Sequence, residues 1–135
     1  MTVGGVRGAR ATPWRVRGDH GSATVELAVT IPLLAFLLVS VVQLGVWFHA
    51  RQVAAGAARQ AVEASRRSGG TSANGEAAMF AWLAQAGDDT LRVTGVQIRD
   101  GDVVTVTVTG DALDVIPGPW SVSATARGPK EEPTP

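Results

Sequence analysis

The sequence contains no cysteine and only two histidines, and these shortages exclude several kinds of site. Without cysteine the chain forms no disulfide, no thiolate metal site and no cysteine nucleophile. His20 and His49 stand on opposite sides of a long apolar stretch, so they are not placed to build a histidine-based metal site or a Ser-His-Asp triad. We therefore expect no metal, no cofactor, no small-molecule substrate and no enzymatic activity.

Formal charge is absent from residues 27–48, and over the whole chain it cancels. Lysine and arginine together number 12, as do aspartate and glutamate, so the net charge is zero. A balanced charge gives no overall field that would attract nucleic acid, and no such partner is expected. As a helix the charge-free run would be about 33 Å long, enough to cross a hydrocarbon core of about 30 Å. It predicts a transmembrane helix over 27–48, with membrane lipid as a partner.

The segments on either side of this run predict a leader and a helical extension. Residues 1–21 are rich in glycine, arginine and alanine without an apolar period, which indicates a basic leader peptide. Residues 49–67 lack proline and consist mainly of good helix formers, so one long helix is expected over 22–67. Small side chains form a seam along the extension, which can face the protein's own domain or a neighbouring subunit. The seam consists of Ala54, Ala58, Ala61, Val62 and Ser65.

Residues 68–128 have the pattern of a small α+β domain outside the membrane. Apolar residues at helical spacing predict a short helix over 76–86, with Met79, Trp82 and Leu83 on its apolar face. Alternation with a period of two then predicts antiparallel strands over 91–99, 103–109 and 120–127. The predicted fold class is α+β, in which a long N-terminal transmembrane helix continues outside the membrane and a short helix packs on about three strands. We expect residues 129–135 to form a disordered tail.

Three local features of the strands can also be predicted. Val104, Val106 and Val108 share one face of the second strand and are expected to be buried. Gly95 marks a bulge in the first strand. Asp100-Gly101 suits a type I′ turn between the first two strands.

Glu26 stands at the start of the apolar stretch, five residues after Gly21. A charged side chain costs about 2.5–3.5 kcal/mol at the centre of a membrane helix, so its presence needs a reason. In one interpretation, the carboxylate lies at a helix N-terminus, where the macrodipole favours it and its stem reaches towards water. In the other, which a resemblance to type IV pilins implies, the chain is cut after Gly21, where a glycine would let it extend into a protease site. The new amine at Ser22 would then lie about one helical turn from Glu26 and could pair with it or with a neighbour's Glu26.

The leader, Gly21, Glu26 and the apolar helix together resemble the processing site of type IV pilins and pseudopilins. Residues 21–67 narrow the resemblance to the TadE-like proteins of tight-adherence (Flp-type) pilus systems. The similar features are the acidic residue at the helix start, the Ile31-Pro32-Leu33-Leu34 step, a late polar residue and an Ala/Arg-rich continuation. The late polar position is often acidic in that family, and Gln43 departs from this pattern.

The resemblance implies a minor pilin or pseudopilin that a prepilin peptidase processes between Gly21 and Ser22. It implies that Glu26 pairs charges during assembly, and that the partners are other pilin or pseudopilin subunits and the pilus assembly machine. The protein would cross the cell membrane once, with its N-terminus cytoplasmic and its C-terminal domain extracytoplasmic. Four arginines precede the apolar run and four follow it before Ser68, so charge alone does not choose this orientation.

Other interpretations stay open from the residues alone. Pro32 removes a hydrogen bond to the Ala28 carbonyl and predicts a helix kink. The chain could also be an uncleaved, signal-anchored binding module outside the cytoplasm. A third hypothesis is a secreted protein released by signal peptidase near residues 55–57.

Overall fold

The computed structural model describes residues 4–5, 8, 19–86 and 89–132, with no side-chain description at positions 19 and 20. Most of the predicted leader therefore lies outside the described residues, as do residues 133–135 of the predicted tail. Two helices and then three strands follow one another along the chain, which confirms the predicted α+β class. They are α1 (Asp19–Arg66), α2 (Ser72–Ala86), β1 (Leu91–Arg99), β2 (Val103–Ala112) and β3 (Ser121–Pro129).

Two compact units divide the chain, Met1–Phe36 and Leu37–Pro135. In the first unit, the described part from residue 19 onward is the beginning of α1, and its large apolar side chains are exposed, Leu27, Ile31 and Phe36 among them. The second unit holds the rest of α1, all of α2 and the sheet. The buried apolar core belongs to this second unit, because its members run from Ala50 to Val122.

The sheet has the order β1-β2-β3 with both pairs antiparallel, so the central strand is β2. Val104, Val106 and Val108 of β2 are fully buried, as their alternation predicts. The register of the β1–β2 pair shifts between Val93 and Gly95, which confirms the predicted bulge in the first strand. Threonines occupy the other face of β2. Thr107 of β2 forms a side-chain hydrogen bond with Thr125 of β3.

The predicted type I′ turn at Asp100-Gly101 is wrong. A type I′ turn needs positive φ at both central residues, and within the described ranges Gly69 alone has positive φ. The last β1–β2 pair is Arg99 with Thr105, so the connection is a longer loop. Lys130 closes this loop from the end of β3, because its Nζ donates to Asp100 Oδ1 at 2.6 Å and its backbone N–H bonds the Asp102 carbonyl.

Both helices cover the apolar face of the sheet, as a sheet of this size requires. Every residue of the predicted small-residue seam on α1 is buried inside this one chain. The seam is therefore covered by the protein's own domain, and a neighbouring subunit is not needed to bury it. Met79 of α2 is fully buried in the same core, with Trp82 and Leu83 packed against it.

Helix α2 begins at Ser72, four residues earlier than the apolar period predicts. The cause is a reciprocal cap, because the Thr71 N–H donates to Asn74 Oδ1 at 2.9 Å while Asn74 N–H donates to Thr71 Oγ1 at 3.3 Å. Such a cap satisfies N–H groups that the first turn leaves without helical partners.

Residues 129–131 make backbone contacts that the sequence does not indicate. Strand β3 extends to Pro129, and the Glu131 N–H donates to the Arg66 carbonyl at the end of α1. The Arg66 guanidinium bonds the Glu63 carboxylate, which raises the pKa of Arg66, and also lies 3.6 Å from a Glu131 oxygen. These contacts fasten the end of the sheet to the end of α1.

Candidate functional site

Gly21 and Ser22, the predicted processing site, lie in the first turn of α1 and are exposed. A Cβ added at Gly21 would meet no atom within 4 Å, so the fold itself does not require glycine there. The first four N–H groups of a helix have no intrahelical partner, which makes this turn easy to open. A protease that needs an extended chain would therefore have to unwind little of α1.

Glu26 is exposed on α1 and its neighbours are apolar and exposed as well, with Val25 at 65% and Leu27 at 57% of their full accessibility. The ion pairs among the described residues join Arg66 to Glu63 and Glu131, and Lys130 to Asp100, so none includes Glu26. The Glu26 carboxylate is thus exposed at the start of the apolar stretch without an ion-pair partner among the described residues. The processing hypothesis would supply that partner as an amine at Ser22.

Pro32 lies inside α1, and the helix continues on both sides of it. Its ring removes one backbone hydrogen bond, which is why the sequence predicts a kink there. The kink stays a prediction.

Gln43 is the residue whose role sequence reasoning missed. Its side chain is fully buried, although it lies in the stretch predicted to cross the membrane. Its Oε1 accepts hydrogen bonds from the N–H groups of Val115 and Ile116 at 2.7 and 3.0 Å. Its Nε2 donates to the Leu113 carbonyl at 3.2 Å. The amide of Gln43 therefore holds the backbone of the loop between β2 and β3, which we call the β2–β3 loop (residues 113–120).

Two tryptophans reinforce the same attachment. Trp47, one turn beyond Gln43 on α1, donates from Nε1 to the Ser121 carbonyl at 3.1 Å. Trp120 closes the loop on itself, because its Nε1 donates to the Ile116 carbonyl at 2.6 Å. The Arg51 guanidinium lies 5.6 Å from the Trp47 ring centroid, within the range of a cation–π contact. The sequence offered one signal, a polar side chain in an apolar run, but it did not identify the partner 70 residues away.

Within the described ranges, no group of three or more histidine, cysteine, aspartate or glutamate residues could hold a metal ion. A cleft beside the β2–β3 loop is lined by Asp89, Asp111, Asp114 and Arg92, with Trp120 at one side. Its carboxylates belong to an open, mixed-charge surface.

The order of these elements along the chain defines a class of protein. Helix α1 is the one described helix that is long and apolar enough to cross a membrane, and it precedes a small packed α+β domain. This organisation indicates a single-pass membrane anchor that carries a compact domain.

The comparison with family models agrees with the resemblance found in the sequence. The model of the TadE-like protein family matches residues 21–63, and the predicted resemblance is confirmed over that segment. The match covers most of α1, with Gly21, Ser22, Glu26 and Gln43, and it ends before α2 and the sheet. A search of the curated proteins found no match, and neither did a search of the solved structures.

Proposed function

We propose that the chain is a TadE-like minor pilin or pseudopilin that acts in the assembly of a tight-adherence (Flp-type) pilus or a related secretion machine. In this proposal it is made as a precursor and inserted in the cell membrane through α1. A prepilin peptidase cuts between Gly21 and Ser22, and the domain after residue 67 lies outside the cytoplasm. The role is structural, without catalysis.

The observation that carries the proposal is Glu26. It is an exposed carboxylate at the start of the apolar stretch of α1, it lies on the segment that matches the TadE-like family, and it has no ion-pair partner among the described residues. In low dielectric an unpaired charge is costly, whereas a close charge of opposite sign offsets much of that cost. A free amine at Ser22, in the same chain or in a neighbouring subunit, would be such a charge.

The geometry at Gly21 supports the choice of cleavage position. Since a side chain at this position would touch nothing, glycine is not needed for packing. A requirement of the peptidase for a small residue would explain it. A substitution at Gly21 therefore tests processing specifically, because it should not change the stability of the folded domain.

The test is the N-terminus of the protein extracted from membranes in cells that contain a prepilin peptidase. Mass spectrometry should find Ser22 as the first residue of the wild-type protein. Gly21→Phe should keep the full-length precursor. Gly45→Phe is the matched control, because Gly45 lies on the same helix and also has open space at its Cβ. That variant should be cut normally.

A second candidate is an uncleaved, signal-anchored binding module outside the cytoplasm. The packing of the domain on its own helix favours it, because the small-residue seam is fully used inside one chain. An intact leader in the presence of active peptidase would support this candidate against the first. A start between Gln52 and Ala58 would instead indicate release by signal peptidase.

A further inference from the structure

The β2–β3 loop combines two properties that are unusual for a connection between strands. Its side chains Leu113 and Val115 are apolar and remain 52% and 48% exposed. Its backbone is at the same time hydrogen-bonded to a buried side chain of α1, namely Gln43. The exposed apolar side chains are therefore held in place, and they lie beside the helix residues around position 43.

The helix residues at this level are themselves apolar and exposed. Val42 is 48% exposed, Leu44 59% and Phe48 58%. They belong to the long apolar helix that is a candidate for membrane insertion. Loop and helix thus both carry exposed apolar side chains close to Gln43 on the second unit.

The number of residues needed to cross a membrane puts Gln43 within the bilayer. A transmembrane helix uses about 20 residues, and counted from Leu27, the first residue after Glu26, they end at Val46. Gln43 comes before that limit. If α1 spans the bilayer, the loop that is bonded to Gln43 cannot stay in bulk water above it.

The polar groups of the loop fit such a position. Backbone N–H groups need partners where water is scarce. Val115 and Ile116 donate theirs to Gln43, whereas Pro117 and Pro119 have none to donate. The Trp120 indole N–H is satisfied within the loop, and an amphipathic ring of this kind is typical of the membrane interface.

The charges limit how deep the loop can go. Asp114 is exposed between the two apolar side chains, and Asp89, Asp111 and Arg92 line the neighbouring cleft. Carboxylates are costly in hydrocarbon but are tolerated among headgroups. The loop therefore belongs at the boundary, with its apolar tips pointing into the outer part of the hydrocarbon.

We infer that the β2–β3 loop is a second membrane contact, in which Leu113 and Val115 enter the outer leaflet of the lipid bilayer while Gln43 holds their backbone. The inference rests on the proposed membrane insertion of α1. It means that the domain is fixed against the membrane surface before assembly. Extraction of the subunit must then remove the loop from lipid as well as the helix.

The absence of cysteine makes a direct test simple, since a single introduced cysteine carries the label. The full chain would be placed in phosphatidylcholine vesicles with an environment-sensitive fluorophore at Leu113→Cys or at Val115→Cys. Val103→Cys is the matched control, because Val103 is 51% exposed at the opposite end of β2. A fourth variant, Leu34→Cys, reports on the helix itself.

The expected result is strong quenching of the 113 and 115 labels by nitroxide lipids, with little quenching by aqueous iodide. The 103 label should show the reverse. Loop labels that iodide quenches while the helix label is lipid-quenched would overturn the inference and leave membrane insertion intact. A helix label open to iodide would instead reject the membrane insertion in the proposed function. Loop labels shielded from both quenchers would indicate cover by another protein chain and would also overturn the inference.

Discussion

The indole of Trp82 on α2 lies directly over Gly56 on α1, so that a Cβ built at Gly56 would stand 2.6 Å from Trp82 Cη2. Gly56 is the one poor helix former in the alanine-rich extension of α1. Its cost to the helix, about 1 kcal/mol relative to alanine, is balanced by the close approach of a large aromatic ring. The two helices therefore meet at a position that only glycine fits without a shift.

Gly56→Ala should destabilise the domain, because overpacking a close contact costs about 1–3 kcal/mol, more than the gain of about 1 kcal/mol in helix propensity. Thermal unfolding in detergent, followed by tryptophan fluorescence, measures the change. Gly45→Ala is the control on the same helix, since its Cβ would meet nothing. It should be neutral or slightly stabilising. Equal melting temperatures for the two variants would contradict the contact.

Gln43→Leu should loosen the β2–β3 loop. The substitution keeps the approximate size of the side chain but leaves the N–H groups of Val115 and Ile116 without their acceptor, at a cost of about 1–3 kcal/mol for an unsatisfied buried group. Hydrogen exchange of the loop amides in detergent should become faster by a factor of about ten or more.

The control for this experiment is Gln60→Leu, at an exposed glutamine of the same helix. Exchange in the β2–β3 loop should not change in that variant. If loop exchange in Gln43→Leu equals that of the wild type, the hydrogen bonds of Gln43 do not hold the loop.

Thr71→Ala should shorten α2 at its start. The hydroxyl and backbone N–H of Thr71 both bond Asn74, and loss of a threonine cap costs about 1 kcal/mol. Circular dichroism and the melting temperature report the loss. Ser72→Ala removes a hydroxyl from the next position, where the helix has already begun, and should have a smaller effect. A larger loss in Ser72→Ala would place the cap elsewhere.

Glu26→Gln should separate processing from assembly. The substitution removes the charge but leaves Gly21 and Ser22 unchanged, so mass spectrometry should still find Ser22 as the first residue. Incorporation into pili or assembly complexes should fall, because the amine at Ser22 loses its partner. Glu63→Gln, at an exposed glutamate that bonds Arg66, is the charge-matched control and should assemble normally. Normal assembly of Glu26→Gln would remove the charge-pairing role.

The local patterns of this chain predicted most of its elements because each has a strong period of its own. Val104, Val106 and Val108 alternate strictly, and the apolar stretch after Glu26 has no interruption by charge. The prediction of a type I′ turn was wrong because the loop is closed by Lys130, which comes 30 residues after Asp100. The predicted start of α2 was four residues late because the cap between Thr71 and Asn74 does not belong to the apolar period.

The sequence by itself determined that a long apolar helix with an early carboxylate precedes a small α+β domain, since length, hydropathy and alternation are local properties. Only the tertiary structure decided what Gln43 does and what covers the small-residue seam. Both depend on contacts between residues far apart in the chain. A buried amide or an alanine face indicates that a partner is required, but packing alone selects which backbone comes within hydrogen-bond distance.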